Sequence, residues 1–248
     1  MDTQSDKPLG IKAYGHIGHL PGSRLGPGDH RVNDGQTRIC TEKLHPQRPR
    51  DIISVTEKLD GSCVAVWKDP ATGAVVPLIR AGYRACDSHW EQHRLFAAWA
   101  FERQEKFDAL LLPGERVVGE WLAMAHGTRY ALDGRDPFVA FDIMVGHERQ
   151  ITDEVRVRLA ECQLTYPPML HADNRPCSIE AALEQLGEHG HYGALDQAEG
   201  CVWRVERRDH QRKRMVVDFL AKYVRPGKVD GAYFNTESGE STVWNWRP

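Results

Sequence analysis

The sequence lacks the features that mark membrane proteins, secreted proteins and cysteine-based metal sites. It has no apolar run long enough to span a bilayer, and the N-terminal stretch MDTQSDKPLG has no apolar signal-peptide core. Its six cysteines include no C-x-x-C pair, a pattern typical of free thiols rather than of a disulfide framework or a zinc site. We therefore expect a soluble, cytoplasmic protein.

An excess of basic residues is also missing, since 32 Lys and Arg residues face 35 Asp and Glu residues and the net charge is −3. This balance excludes tight, non-specific nucleic-acid binding through overall charge and leaves only local basic patches for such contacts. What the chain does have is length and apolar content. Its 248 residues, 41% of them hydrophobic, suffice for one large domain or two small ones.

Secondary-structure patterns begin only after a long first segment. Residues 1–50 are rich in Gly, Pro, His and Arg and show no sustained period, so we expect a loop-rich N-terminal arm with a few short elements. Strand patterns then cover 52–57, 62–67 and 75–80, and the segments ERVVGEWL, FVAFDIM, GCVWRVE and RMVVDFLAKYV also have strand character.

Helical patterns interrupt these strands. One follows a capping-box pattern from Ser88 to Glu91, and two more lie in TDEVRVRLAECQL and SIEAALEQLGEHG. Strands come first, a long helix follows and strands return, which predicts an α+β domain of mainly antiparallel sheets. We expect a single domain over 1–248, with a core at 51–228 and a tail at 229–248 behind the N-terminal arm.

The stretch VTEKLDGSCVAVWK, residues 55–68, places Lys58 at the end of a strand pattern, directly before a turn at Asp60 and Gly61. Lysine is usually a solvated residue, but here two half-buried strands flank it. Lys58 is therefore either the charged edge of an ordinary hairpin or a lysine held at a site. K-x-D-G alone occurs by chance in about 5% of chains of this length, so the motif needs support from others.

Further motifs supply that support. In each, a polar or aromatic residue lies in or beside a strand pattern: RAG with Arg80, VVGEW with Glu120, FVAFDIM with Phe141, EGCVWR with Glu199 and AKYVR with Lys222. Together they resemble the ordered motifs of the covalent nucleotidyltransferase superfamily, which includes polynucleotide ligases and mRNA capping enzymes. The segments GEWLAMAHGTRY and HLPGS most resemble the RNA ligase 2-like branch, and the resemblance spans residues 14–228.

The resemblance implies a nucleotidyltransferase (ATP-grasp-like) domain of antiparallel sheets flanked by helices. It also implies an ATP-dependent RNA ligase that uses Mg²⁺ or Mn²⁺ and joins RNA 5′-phosphate and 3′-hydroxyl ends through a lysyl-AMP intermediate. Because the sequence leaves no room for a C-terminal OB domain after Lys222, we expect a minimal ligase or one that works with a separate partner protein. The alternatives are adenylyl transfer to another acceptor, such as a protein or a DNA end, and a non-catalytic module that binds nucleotide or RNA ends.

By this resemblance, Lys58 is the nucleophile that attacks the α-phosphate of ATP. A lysine at its usual pKa is mostly protonated, so this one must be partly desolvated or lie near other cations, such as a metal ion. Lys222 corresponds to the lysine that grips the α-phosphate and stabilises its developing charge. Glu199 corresponds to a metal-binding carboxylate, and Glu120 to one that binds ribose hydroxyls or metal.

The remaining nucleotide-site roles are also implied by the resemblance. Glu57 helps to read the adenine edge, and Asp60 orients Lys58 or a metal-bound water, unless it only forms the turn that Gly61 completes. Arg80 contacts ribose or a 5′-phosphate, with an exposed arginine at a strand end as the alternative. Phe141 stacks on the purine, although a core phenylalanine would have the same sequence pattern.

Two RNA-side residues and one weak metal motif complete the predictions. His126 lies in the branch-like segment AMAHGTRY and is a candidate RNA contact. Many relatives have K-x-K at the last motif, where this chain has Val224, and Arg225 is the candidate replacement cation. Strand alternation opposes that replacement because neighbouring residues face opposite sides. His16 and His19 have H-x-x-H spacing, a weak pattern for a metal site without an added carboxylate.

Overall fold

A computed structural model of the protein describes residues 7–233 and 242–248. Residues 1–6 of the predicted arm and 234–241 of the predicted tail lie outside the described residues. Within the described part the chain is an α+β protein, as predicted, with two five-stranded sheets and helices packed against one face of each. No helix in this part is both long and apolar enough to cross a membrane.

The elements alternate along the chain without a regular βαβ series. The strands are β1 (Gly18–His19), β2 (Ile52–Lys58), β3 (Ser62–Lys68), β4 (Val75–Ile79), β5 (Glu115–Trp121), β6 (Phe138–Val145), β7 (Glu148–Arg149), β8 (Met169–Asp173), β9 (Gly200–Asp209) and β10 (Arg214–Val224). The α-helices are α1 (Asp34–Thr41), α2 (Glu91–Glu102), α3 (Gln104–Leu110), α4 (Thr152–Glu161) and α5 (Ile179–Leu186).

The first sheet has the strand order β1-β10-β9-β2-β8 and the second has the order β4-β3-β5-β6-β7. Every pairing is antiparallel except that of β1 with β10, which is parallel. The chain passes from the first sheet to the second between β2 and β3. The turn after Lys58 is therefore one of two links between the sheets, since the chain returns to the first sheet between β7 and β8.

Side-chain alternation gives the first sheet an apolar face and a polar face. In β2, Ile53 and Val55 are fully buried in a cluster that includes α5. The intervening Ser54, Thr56 and Lys58 line a cavity on the opposite face. The alternation of β2 thus decides which of its residues can reach a ligand.

Both faces of the second sheet carry apolar residues. One face packs against α2, α3 and α4 through an aromatic cluster that contains Trp99, Phe107, Trp121 and Phe138. The other face is partly covered by residues 9–17, which we call the N-terminal segment. Part of the arm that was predicted to be loop-rich therefore belongs to the core, because the second sheet needs a cover on that side.

Two helix starts differ from the sequence prediction. The capping box from Ser88 to Glu91 is wrong: α2 begins at Glu91 with Trp90 as N-cap and no side-chain cap. Ser88 Oγ instead accepts a 3.3 Å hydrogen bond from the Trp90 N–H, closing a local turn before the helix. A capping box that the sequence analysis missed starts α1, where Asn33 and Gln36 exchange side-chain-to-backbone hydrogen bonds.

Candidate active site

A cavity of about 550 Å³ lies between the two sheets. Its walls come from β2, β9 and β10 of the first sheet, from β3, β5 and β6 of the second, and from the N-terminal segment. Its volume is in the range of pockets that enclose small-molecule ligands. Ten predicted site residues border it: Glu57, Lys58, Asp60, Gly61, Arg80, Glu120, His126, Phe141, Glu199 and Lys222.

Lys58 ends β2 and lies in this cavity with 22% of its side chain exposed. Its Nζ donates a 2.6 Å hydrogen bond to Glu199 Oε2, and the strand register explains this contact because Lys58 lies opposite Gly200. Burial acts to lower the pKa of Lys58, but the Glu199 and Glu120 carboxylates outweigh burial and hold the pKa above its usual value. Lys58 is thus partly desolvated, as expected. The strongest charges beside it are carboxylates, which keep its amine protonated, whereas nearby cations would favour loss of the proton.

The two glutamates share this environment. Burial raises the pKa of Glu120 and of Glu199 to about 7 in each case, against the opposing effect of the Lys58 charge. Glu120 Oε1 also accepts a 3.1 Å hydrogen bond from the Gly61 N–H. A Cβ atom on Gly61 would lie 2.4 Å from the Trp121 carbonyl oxygen, so only glycine allows the turn to approach β5 this closely.

Asp60 joins the turn after Lys58 to the loop that follows β5. Its Oδ2 accepts hydrogen bonds from the Gly127 N–H at 3.0 Å and from Thr128 Oγ1 at 3.1 Å. The same oxygen lies 3.5 Å from Nζ of Lys228, a buried lysine that donates to the Gly127 carbonyl at 2.6 Å. Asp60 therefore holds the turn in place, and Lys228 is a supporting cation that no sequence motif indicated.

Lys222 lies on β10, lines the cavity and is held there by a contact with Asp29. Its Nζ lies 3.5 Å from Asp29 Oδ1, and Asp29 Oδ2 lies 3.0 Å from His19 Nε2. Burial lowers the pKa of Lys222, and the charge of Lys58 adds to this effect. Burial also lowers the pKa of His19 to about 4, and its Nδ1 lies 2.6 Å from Ser23 Oγ. The sequence analysis missed Asp29 because only the parallel β1–β10 pairing brings its neighbourhood to Lys222.

Aromatic rings form another part of the wall. Phe141 is half-buried and packs edge-on against Tyr14, with 5.2 Å between ring centroids, and both residues line the cavity. The adjacent Asp142 is fully buried in ion pairs with Arg149 and Arg204. The sequence left Phe141 as either a stacking or a core residue, and its position at the cavity wall is compatible with stacking on a base.

Arg80 and His126 complete the polar lining. Arg80 is exposed, and its Nη2 donates a 3.1 Å hydrogen bond to the Gly15 carbonyl. His126 Nε2 lies 3.1 Å from Gln92 Oε1. Burial lowers the pKa of His126 to about 4, so its ring is neutral near pH 7. His126 can therefore contact a ligand through hydrogen bonds but not as a cation.

A model of the RNA ligase family matches residues 51–224 of this chain. This span includes every residue from Lys58 to Lys222 that lines the cavity. The chain belongs to the RNA ligase family. The match confirms the superfamily that the ordered motifs indicated. No curated protein matches the sequence.

Solved RNA ligases share the fold at low sequence identity. The RNA ligase of Naegleria gruberi, solved as a mutant with ATP and Mn, is 15% identical with a TM-score of 0.51, and the match covers 84% of this chain and 58% of that one. The same ligase with PPi is 17% identical, again with a TM-score of 0.51 and coverages of 84% and 58%. An archaeal ATP-dependent RNA ligase is 18% identical with a TM-score of 0.44 and coverages of 72% and 44%. The chain spans little more than half of the Naegleria ligase.

In this RNA ligase family member, the Glu57 carboxylate is engaged by a loop of the protein, and its predicted role at the adenine edge stays a prediction. It is buried and accepts a 2.7 Å hydrogen bond from the His191 N–H. A Cβ atom on Gly190 would lie 2.2 Å from Glu57 Oε1, which shows how closely this loop packs on the carboxylate. Strand alternation directs the side chains of Glu57 and Lys58 to opposite faces of β2, although both residues border the cavity.

Arg225 is also engaged by main-chain groups of the protein. Its guanidinium donates to the carbonyls of Gly187 at 2.5 Å, Glu188 at 3.2 Å and Ala198 at 3.3 Å, beyond the C-terminus of α5. It is not among the residues that line the cavity, so its role as a replacement for the second lysine of the last motif stays a prediction. Its N–H bonds the Glu199 carbonyl as the chain leaves β10, which directs the side chain toward α5.

The donor atoms of the site fit a divalent ion that is shared with a ligand. Among residues 7–233 and 242–248, no group of three or more His, Cys, Asp or Glu side chains is arranged to hold a metal by itself. The weak H-x-x-H pattern of His16 and His19 gains no further support, and His19 Nε2 lies 3.0 Å from Asp29 Oδ2. Glu120 and Glu199 supply hard oxygen donors, and Mg²⁺ is commonly held by one or two carboxylates together with substrate phosphates.

Proposed function

We propose that the protein is an ATP-dependent RNA ligase that joins RNA 5′-phosphate and 3′-hydroxyl ends through a lysyl-AMP intermediate. The observation that carries the proposal is the placement of Lys58, Glu120, Glu199 and Lys222 in one nucleotide-sized cavity of an RNA ligase family chain. The Naegleria relative has been solved with ATP, AMP and PPi, which are the reactant and products that such a cavity would hold.

The first step uses groups that lie within the cavity. The lone pair of Lys58 Nζ attacks the α-phosphorus of ATP, a P–N bond forms, and the bond to the bridging oxygen breaks so that pyrophosphate leaves. Lys222 stabilises the negative charge that develops on the α-phosphate. A divalent ion bound by Glu120, Glu199 and the phosphates would supply further charge compensation.

Lys58 must release a proton to solvent, to which its side chain is 22% exposed, before this attack. Its amine is held in the protonated form by the 2.6 Å contact with Glu199 and by the charge of Glu120. Charge compensation of these two carboxylates removes the interactions that favour the protonated amine. The same glutamates thus keep the lysine inactive until nucleotide and metal are in place.

The later steps place RNA at the exposed side of the site. The RNA 5′-phosphate attacks the lysyl-AMP phosphorus and releases Lys58, and a 3′-hydroxyl then attacks the capped 5′-phosphate and releases AMP. Arg80 is exposed at the cavity and is suited to hold a terminal phosphate. His126 borders the same space as a neutral hydrogen-bonding group.

The direct test is covalent labelling with ATP that is radioactive at the α-phosphate, followed by a denaturing gel. We expect acid-stable, metal-dependent labelling of the wild-type protein and none of Lys58→Ala. The control is Lys43→Ala, an exposed lysine on the chain after α1, which should label as the wild type does. A mutant Lys58→Ala that labels normally would refute the nucleophile assignment, and stronger labelling by GTP would favour a capping activity.

A second assay distinguishes ligation from adenylyl transfer to another acceptor. A 5′-phosphorylated RNA with an accessible 3′-hydroxyl should be joined or should accumulate with an AMP cap. Self-labelling without transfer to any RNA end would reject the ligase and favour a protein or DNA-end acceptor.

A further inference from the structure

A second cavity, of about 310 Å³, lies beside the candidate active site. Its lining includes four basic side chains and no acidic one: Lys12, Arg116, His147 and Arg149, together with Gly15 and Met144. Gly15 borders both cavities. The N-terminal segment therefore separates the nucleotide cavity from a neighbouring basic cavity.

Arg116 is the most unusual group in this cavity. Its side chain is 1% exposed, and it makes no ion pair with a carboxylate of the described residues. Nε donates to the Ala13 carbonyl at 2.7 Å and Nη2 donates to the Gly146 carbonyl at 2.7 Å, while Nη1 is buried without a hydrogen-bond partner. A buried arginine normally has an anionic partner, so this guanidinium leaves one donor for an anion.

The neighbouring charges do not compensate Arg116. Arg149 pairs with Asp142 at 2.9 Å, and Asp142 also pairs with Arg204, which has Glu206 as a further partner, so these carboxylates are engaged by Arg149 and Arg204 and are not ion-paired with Arg116. Lys12 makes no ion pair with any described residue. The cavity therefore has an excess of positive charge on a partly enclosed surface, which is the arrangement that binds phosphate groups.

The positive charge continues toward the nucleotide cavity. Arg80, which lines that cavity, donates to the carbonyl of Gly15 at 3.1 Å. Arg80 is also the main cause of a lowered pKa at His16, with burial and the charge of Lys12 acting in the same direction. Arg80 and Lys12 thus both lie near His16, and Gly15, whose carbonyl Arg80 contacts, borders both cavities.

We infer that the second cavity binds a backbone phosphate of the RNA strand whose end is held at Arg80. This inference rests on the proposed function, because it assigns the substrate strand of that reaction to a surface. The planar guanidinium groups of Arg116 and Arg149 can each bind phosphate oxygens in a bidentate manner, and the exposed Lys12 adds an ammonium group. Such contacts fix the position of a nucleic acid without reading its sequence.

The test compares Lys12→Glu with Lys43→Glu, since both lysines are exposed and only Lys12 lines the basic cavity. Affinity for a 5′-phosphorylated single-stranded RNA is measured at several salt concentrations, and self-labelling with ATP is measured in parallel. Lys12→Glu should weaken RNA binding at least about 10-fold and reduce the salt slope by about 0.7 for each phosphate that the variant no longer neutralises. Its self-labelling should equal that of the wild type, and Lys43→Glu should change neither quantity.

Arg116→Lys provides a second variant that keeps the charge but loses the planar donors. It should also weaken RNA binding while leaving self-labelling intact, provided that its circular dichroism and melting temperature match the wild type. If it unfolds, Lys12→Glu alone decides. Equal RNA affinity for Lys12→Glu and Lys43→Glu, in a wild-type protein that self-labels and binds RNA, overturns the inference but not the proposed function.

Inorganic phosphate distinguishes RNA from a free anion as the occupant. If the site belongs to RNA, phosphate should compete with RNA for the wild type and not for Lys12→Glu. If phosphate raises the melting temperature in a Lys12-dependent manner without competing with RNA, the cavity is a free-anion site and the RNA assignment is wrong. A wild-type protein that neither self-labels nor binds RNA refutes the proposed function, and the RNA assignment is then wrong as well.

Discussion

At the scale of single residues, the site depends on charges that are held in fixed positions. Lys58 contacts Glu199, and Lys222 contacts Asp29, so each cation has a carboxylate of its own. The order of the family-like motifs indicated both lysines and both glutamates, each of which lies in or next to a strand with clear alternation, whereas no single motif would have been sufficient. The sequence did not indicate Asp29, because its contact with Lys222 depends on the fold and not on residues next to it in the sequence.

Replacing Glu199 or Lys222 with Ala should affect the chemical step more than ATP binding. Both residues act on charge that develops in the transition state, so each loss should cost about 3 kcal/mol, or roughly 100-fold in the rate of lysyl-AMP formation. Single-turnover labelling measures the rate, and equilibrium dialysis with ATP measures the affinity. Near-normal rates in both variants would show that the last two motifs are chance matches.

Arg225→Ala is the matched control for Lys222→Ala because it removes a nearby cation that is outside the cavity. Loss of its bonds to the carbonyls of Gly187, Glu188 and Ala198 should lower the free energy of unfolding by about 1–3 kcal/mol. The labelling rate of the folded variant should remain close to that of the wild type. A rate loss as large as that of Lys222→Ala would instead make Arg225 part of the phosphate site.

At the scale of elements, the turn between β2 and β3 is the critical connection. It leads the chain from one sheet to the other, and Asp60 and Gly61 attach it to β5 and the loop beyond. The strands on both sides were predictable from their period, whereas the attachment was not, because Gly127 and Lys228 carry no pattern of their own. The same alternation places the Glu57 carboxylate on the face opposite Lys58, where it contacts the His191 N–H.

Gly61→Ala should disrupt this turn. The new methyl group would meet the Trp121 carbonyl oxygen at 2.4 Å, so the turn must move away from Glu120. We expect at least about a 10-fold loss in labelling rate and a lower melting temperature. Gly227→Ala is the control because its Cβ would meet no atom within 4 Å, and it should be close to neutral in both assays. Equal behaviour of the two variants would contradict the role of the turn.

At the scale of the whole molecule, the cavity is assembled from segments that are distant in sequence. The β1–β10 pairing and the packing of the N-terminal segment on the second sheet close it. The arm was predicted to be loop-rich because Gly and Pro interrupt every period in residues 1–50. Its contribution to the core depends on tertiary packing against the two sheets, which no local sequence pattern encodes.

Acid should destabilise the fold in part through His93, whose ring lies 3.0 Å from Ser62 Oγ and 2.8 Å from Ser88 Oγ. Burial lowers the pKa of His93 to about 4, with a smaller effect from nearby histidines. The unfolded chain therefore binds more protons, so this contribution to stability is complete above pH ~6.5 and is lost as the pH falls toward 4.

Urea unfolding at about pH 7.5 and about pH 5 measures this contribution. Between these values His93→Gln should lose less stability than the wild type, by about 2 kcal/mol, whereas His210→Gln at an exposed position should behave as the wild type. An identical pH dependence in His93→Gln and the wild type would rule out this histidine as the cause.

The parallel pairing of β1 with β10 limits where this protein can be shortened. The family match begins at residue 51, but a fragment that starts there would lose the partner strand of β10, the carboxylate beside Lys222 and the cover of the second sheet. Its newly bare strand edge and apolar surface would favour self-association over folding. We therefore expect the smallest folded unit of this chain to reach back at least to residue 9, before both the HLPGS segment and the motif residue Lys58.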